Sequence, residues 1–177
     1  MTDRPTDTAP STADADTTTA SPIDDERRVR LERFATGFAD VADALDGATD
    51  EDLDRRGPAG EWSGREVVHH LADSEAMAYI RLRRLIAEDA PSIAGYDEPE
   101  WARRLHYDRP IETSLEVLQA VRGASQQLLM TLTPEEWGRV GSHSESGAYS
   151  VDRWLGIYAE HSHEHADQIR RARRGED

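Results

Sequence analysis

Four stretches of this chain repeat their apolar side chains at the three-to-four-residue spacing of an α-helix, and none alternates as a half-buried strand would. The first begins at Ile23 and carries Val29, Phe34, Phe38, Val41, Ala42 and Leu45, with Gly47 closing it. Trp62 and Ser63 introduce the second, and Ser63 with Glu66 forms a capping box that satisfies two orphan N–H groups reciprocally. This second run reaches Ala87, with Val68, Leu71, Ala78, Leu82 and Leu85 on one face. Pro110 starts the third, which carries Leu115, Leu118, Val121, Leu128, Leu129 and Leu132. Ser150 caps the fourth, which ends near Arg174, where an arginine cluster suits the negative end of the helix dipole. Between the second and third lies a long connection, Pro91–Arg109, with room for one short helix. Thr133-Pro134-Glu135-Glu136 reads as a single further turn, and Gly141–Ala148 as a polar loop. The expected fold is all-α: a four-helix bundle over residues 23–174 with one long crossover. Residues 1–22 are rich in Thr, Ala and Asp, offer no large apolar side chain between Thr2 and Pro22, and are expected to form a disordered acidic tail.

Composition narrows the chemistry. The chain has no cysteine, so a disulfide framework, a thiolate metal site and a cysteine nucleophile are excluded. It carries 36 acidic against 21 basic residues, a formal charge of −15, and every basic residue is Arg. Such a chain repels nucleic-acid phosphate and anionic membranes, so neither partner is expected. Acidity without lysine matches the proteome style of halophiles, where salt screens self-repulsion, and a GC-rich genome is the alternative source of Arg in place of Lys. No apolar run approaches the ~18 residues of a membrane span. Met1–Ser21 has neither the basic nor the apolar region of a secretory leader, and a cytoplasmic location is the expectation.

The densest chemical signal is His161-Ser162-His163-Glu164-His165 in the fourth helix. At 100° per residue, with Trp154 at zero, His161 falls near 340° and His165 near 20°, whereas His163 points to about 180°. Two imidazoles one turn apart on the buried face can reach one ion, and neutral histidine is a common ligand for zinc and similar metals. The second helix offers His69-His70. With Val68 at zero, His70 falls near 200°, bordering the apolar stripe, and His69 near 100°, further into solvent. His70, His161 and His165 make a three-histidine set with open positions, the arrangement of catalytic metal sites. Glu75, near 340°, lies within the apolar stripe, either paired with an Arg or beside the site as a base; the second reading is preferred. Glu164 stands at the site edge as another candidate base. The pattern His161-x-x-Glu164-His165 also matches the inverted zincin signature, but only 12 residues follow His165, too few for that family's distant acidic ligand. His106 and His143 read as surface residues, the four Trp as core anchors, and Arg170–Arg174 as a solvated helix end.

Trp62-Ser63, the run from Val68 through Ser74, and His161-x₃-His165-x-x-Gln168-Ile169 together resemble the DinB-like superfamily. The linker from Tyr96 to Ala102 and the helix start from Pro110 to Leu115 look like its YfiT-type subgroup. The resemblance covers about residues 25–174. It implies an up-down-down-up bundle, often dimeric, that holds one divalent metal ion (Zn, Ni, Mn or Fe) through three histidines falling on His70, His161 and His165. YfiT-like sequences tend to carry His where this chain has Glu75, so the local acid–base chemistry is expected to differ.

These readings converge on a metal-dependent enzyme, a homodimer acting on small molecules. The first expectation is an S-transferase joining a low-molecular-weight thiol to an electrophilic substrate, since a thiol coordinated to a metal is deprotonated outright. With no cysteine in the chain, the sulfur comes from the cosubstrate. The alternative is a hydrolase of an amide or ester using metal-bound hydroxide, with Glu75 or Glu164 as base. A further alternative is a non-catalytic metal-binding or dimerising bundle.

Overall fold

Helix ends in this protein are set by capping chemistry that the sequence displays. In the computed structural model, which describes residues 23–175, α1 spans Asp25–Leu45 and is capped by Asp24, whose side chain accepts from the Arg27 amide. The short α2, Asp50–Asp54, and the long α3, Gly64–Ala87, each begin with a complete capping box, at Thr49/Asp52 and Ser63/Glu66. The crossover holds α4, Glu98–Arg104, and leads into α5, Glu112–Leu129. A third box, Thr133/Glu136, starts the one-turn α6, Pro134–Trp137. Helix α7, Val151–Arg174, starts at Ser150 and stops at Gly175 in the left-handed conformation. The acidic tail expected over residues 1–22 lies outside the described residues. Within them, no helix is long and apolar enough to cross a membrane.

Side-chain pairs along the helices give their directions. From α1 to α7 the partners advance together: Arg27 with Asp152, Arg33 with Glu160, Asp40 with Arg170. These two helices are parallel. His69 with Ser114 and Glu75 with Arg122 likewise make α3 and α5 parallel. Between α3 and α7 the order reverses, His70 meeting His165 while the Ala78 carbonyl accepts from Trp154 Nε1. The bundle is therefore up-down-down-up. Because α3 and α5 run the same way, the chain must travel back along the bundle between them, which is why the crossover is long.

That return path is not wholly irregular. Residues Ser92–Ile93 form β1, parallel to β2, Val140–His143, which turns back into β3, Gly147–Ser150. The sequence reading of Gly141–Ala148 as a loop in a chain without strands is corrected here. Strands of only two to four residues are too short to display an alternation to read. Gly141 is needed at the seam, where a Cβ would stand 2.6 Å from the Pro91 carbonyl oxygen.

Two apolar clusters fill the bundle. Phe34, Leu82, Leu85, Trp137, Trp154 and Leu155 pack one end, while Val41, Val67, Val68, Leu71, Leu118 and Ile169 pack the other. Trp137 and Trp154 are the expected core anchors, but Trp62 and Trp101 are only half-buried. The arginine cluster of α7 is less solvated than expected. Arg170 binds Asp40, and Arg173 donates to the Ala44 and Asp46 carbonyls, stapling α7 to the end of α1.

Candidate metal centre

The antiparallel contact of α3 with α7 brings His70 against the i, i+4 pair His161 and His165. Ring centroids are 5.4 Å apart for His70 and His161, 4.8 Å for His70 and His165, and 4.7 Å for His161 and His165. One nitrogen from each ring lies within 4.8 Å of the other two. Three atoms no more than 4.8 Å apart always share a point within about 2.8 Å of all of them, so ring movements of under ~1 Å reach the ~2.0–2.1 Å bond of a shared zinc-like ion.

The electrostatics suit ligation. Burial lowers the His70 imidazole to about 3, with His165 adding to the effect. Burial, then His165, His70 and Arg122, hold His161 well below the usual imidazole range, and burial lowers His165 as well. All three rings are therefore neutral at pH 7, with lone pairs available. His165 Nδ1 donates to Gln168 Oε1 at 2.8 Å, which fixes the tautomer and leaves Nε2 for a metal. His161 Nδ1 is buried without a hydrogen-bond partner among the described residues, a need that coordination through that nitrogen would satisfy. The donor set therefore fits one divalent ion. The half-buried Trp62 adds a wall by stacking on His70, centroid to centroid 4.8 Å.

The other histidines depart from the sequence reading. His69 is fully buried rather than solvent-facing: its ring bonds the Ser114 hydroxyl and the Arg109 carbonyl, because the end of the crossover and α5 cover that face of α3. His163 does point away from the three-histidine cluster, yet it is buried against α1, where it bonds Asp40 and the Arg33 carbonyl. His106 is exposed, whereas His143 is half-buried and stacks on Tyr149.

The two carboxylates also separate. Glu75 takes the reading that was not preferred: it is buried and ion-paired with Arg122, whose Nη2 also donates to the Phe34 carbonyl. Burial pushes the Glu75 carboxyl up to about 7 and Arg122 down, each opposed by its partner's charge. Glu164 is solvent-exposed, near enough to His165 for its charge to raise that imidazole.

A cavity of about 330 Å³ opens beside His161, between α3, α7, the crossover and the hairpin. Arg81, Tyr96, Glu98, His143, Tyr149 and Tyr158 line it. Tyr158 joins it to the cluster, its ring 5.7 Å from that of His161. The sequence reading missed this cavity, although helix spacing contained part of it. Ser74 and Arg81, four and eleven residues after His70, return to within about 40° of His70 on the same helix face.

Residues 33–169 match the DinB superfamily. The chain belongs to that superfamily. It is 44% identical over 119 residues to an Oceanobacillus iheyensis protein, covering 67% of this chain and 69% of the relative, which bears the provisional name of metal-dependent hydrolase. It is 36% identical over 134 residues to YfiT of Bacillus subtilis, covering 74% of this chain and 75% of that one, which has the same provisional name. The solved structure of YfiT, provisionally described as a metal-dependent hydrolase with an unusual four-helix bundle topology, superposes with a TM-score of 0.79 at 32% identity, covering 86% of this chain and 89% of YfiT. Its bundle is the fold found here.

Proposed function

We propose that this DinB-superfamily protein is a divalent-metal-dependent enzyme that transfers a low-molecular-weight thiol to a small electrophile. The observation that carries the reading is the double position of His161, which belongs to the three-histidine cluster and also to the wall of the cavity. An ion held by His70, His161 and His165 supplies Lewis acidity, which lowers the pKa of a coordinated thiol or water. The chain's own residues hold and orient the reactants. Trp62 braces the His70 ring, Gln168 fixes the His165 ring, and Tyr158 bounds the space where a substrate approaches. In the transfer the sulfur forms the new S–C bond, the leaving group departs with its bonding pair, and the thiol proton passes to solvent. Thiol chemistry is favoured because a coordinated thiol needs little help from a base, and Glu75 is already engaged by Arg122.

A hydrolase of an amide or ester is the second reading. The provisional names of the relatives support it, and so do Glu98 and His143, two groups in the cavity able to accept a proton. Zinc titration and elemental analysis of five variants, with a thiol screen against a generic alkylating dye, test both. His70→Ala, His161→Ala and His165→Ala are expected to lose the ion. His69→Ala and His163→Ala keep it, although each loses stability with its buried hydrogen bonds. Equal metal content in all five would falsify the centre. Turnover that survives complete removal of small thiols would replace transfer with hydrolysis.

A further inference from the structure

Three arginines are buried among the described residues, and two of them have carboxylates. Arg65 binds Asp50 and Asp54, and Arg122 binds Glu75. Arg81 is 9% exposed and makes no ion pair among the described residues; Glu98 on the cavity wall feels its charge, which lowers that carboxyl against the effect of burial. Its contacts are with neutral groups: Nη1 donates to the Tyr158 hydroxyl at 3.2 Å, and Nη2 to the Ala94 carbonyl at 2.8 Å. Its Nε–H is buried with no acceptor among those residues, and the buried hydroxyl of Tyr96, whose ring centre lies 5.7 Å from the guanidinium, has Ser74 beside it but no well-formed hydrogen bond among them. Both side chains line the cavity beside His161. A buried guanidinium is permanently charged and costly to leave unpaired, so an anion from outside the chain is the natural complement.

We propose that Arg81, with the Tyr96 hydroxyl, forms a carboxylate-binding subsite that anchors an acid-bearing small substrate beside the three-histidine centre. A planar, singly charged carboxylate suits one guanidinium with an unused Nε–H and an adjacent phenol. A phosphate dianion suits the cavity less well, because Glu98 and Glu145 line it too. Tyr158 accepts from Arg81 and lies against His161, so it spaces the subsite from the candidate ligands by a single side chain. The role as a substrate anchor rests on the metal-dependent reading, but the affinity for a carboxylate does not.

Calorimetric titration of the full chain with benzoate, with its neutral isostere benzamide and with inorganic phosphate tests the proposal, first without divalent cation and then with zinc. The wild type is expected to bind benzoate at least tenfold more tightly than benzamide, and more tightly than phosphate. Arg81→Leu is expected to abolish that preference while its zinc titration stays unchanged. Should Arg81→Leu fail to fold by circular dichroism, Arg81→Lys decides: it retains a charge but loses the Nε–H, and benzoate affinity falls at least fivefold. Tyr96→Phe weakens benzoate binding in the same direction. Equal affinity for benzoate and benzamide in the wild type, tighter binding of phosphate, or a preference that survives substitution of Arg81 would overturn the subsite. A wild type that selects benzoate yet takes up none of zinc, nickel, manganese and ferrous iron supports the subsite and refutes the metal centre, so the two failures are distinguishable.

Discussion

Replacing Glu75 with Leu removes the only carboxylate paired with Arg122 among the described residues and leaves that guanidinium, 4% exposed, among Phe34, Tyr158 and the surrounding helices. Its Nη2 keeps the Phe34 carbonyl at 2.6 Å, but a carbonyl dipole does not neutralise a full charge. Breaking a buried pair from one side costs about 3–5 kcal/mol, whereas replacing both partners with apolar groups of similar volume is neutral or stabilising by ~1–4 kcal/mol. For a domain of this size each kcal/mol moves the midpoint by about 2–4 °C, so Glu75→Leu is expected to lower Tm by roughly 6–20 °C. Adding Arg122→Met should recover most of the loss. Urea unfolding at pH 8, above the value near 7 to which burial pushes Glu75, measures both variants against the parent at constant m. A single variant within about 1 kcal/mol of the parent, or a double variant no more stable than the single, refutes the uncompensated-charge argument.

Two other outcomes follow from the same packing. The three clustered imidazoles have folded values below the ordinary 6.5, to about 3 for His70, so the unfolded chain binds more protons in that window. Their effect on stability is absent above 6.5 and becomes destabilising as pH falls toward 3; urea midpoints of the metal-free protein should therefore drop in that range, and less in the His70→Ala variant. At Gly37 a Cβ would stand 2.6 Å from Arg122 Nη2 and 2.9 Å from Ser162 Cβ, while at Gly123 it meets nothing within 4 Å. Overpacking costs about 1–3 kcal/mol and a helical Gly→Ala gains ~1 kcal/mol, so thermal melts should show Gly37→Ala destabilised and Gly123→Ala stabilised.

The four long helices were legible because each carries an apolar stripe of many residues. Helices α3 and α7 also start at the caps the sequence announces, Ser63/Glu66 and Ser150, whereas α5 starts at Glu112, two residues beyond Pro110, with no side-chain cap. Helical phase also predicted the meeting of His70, His161 and His165. It failed for His69, and although it turned His163 correctly away from the cluster it gave no sign of that ring's burial, because a phase calculation assumes one buried stripe. In this bundle α3 is covered by α5 and the crossover, and α7 by α1, on a second side. The partner of Glu75 stands 47 residues away in another helix, so pairing with an arginine could be named as an option but not assigned. The sheet was invisible for a different reason: its register is set by long-range pairing of the crossover with the hairpin, and its few residues have no pattern of their own.

The parallel course of α3 and α5 has an evolutionary corollary. It obliges the polypeptide to spend a long return segment outside the bundle, and here that segment joins the hairpin to wall the cavity. The three clustered histidines thus sit on helices, while much of the cavity wall belongs to connectors whose length and composition can drift independently. A lineage can retune what it accepts by rewriting those connectors and leave the three imidazoles where they stand.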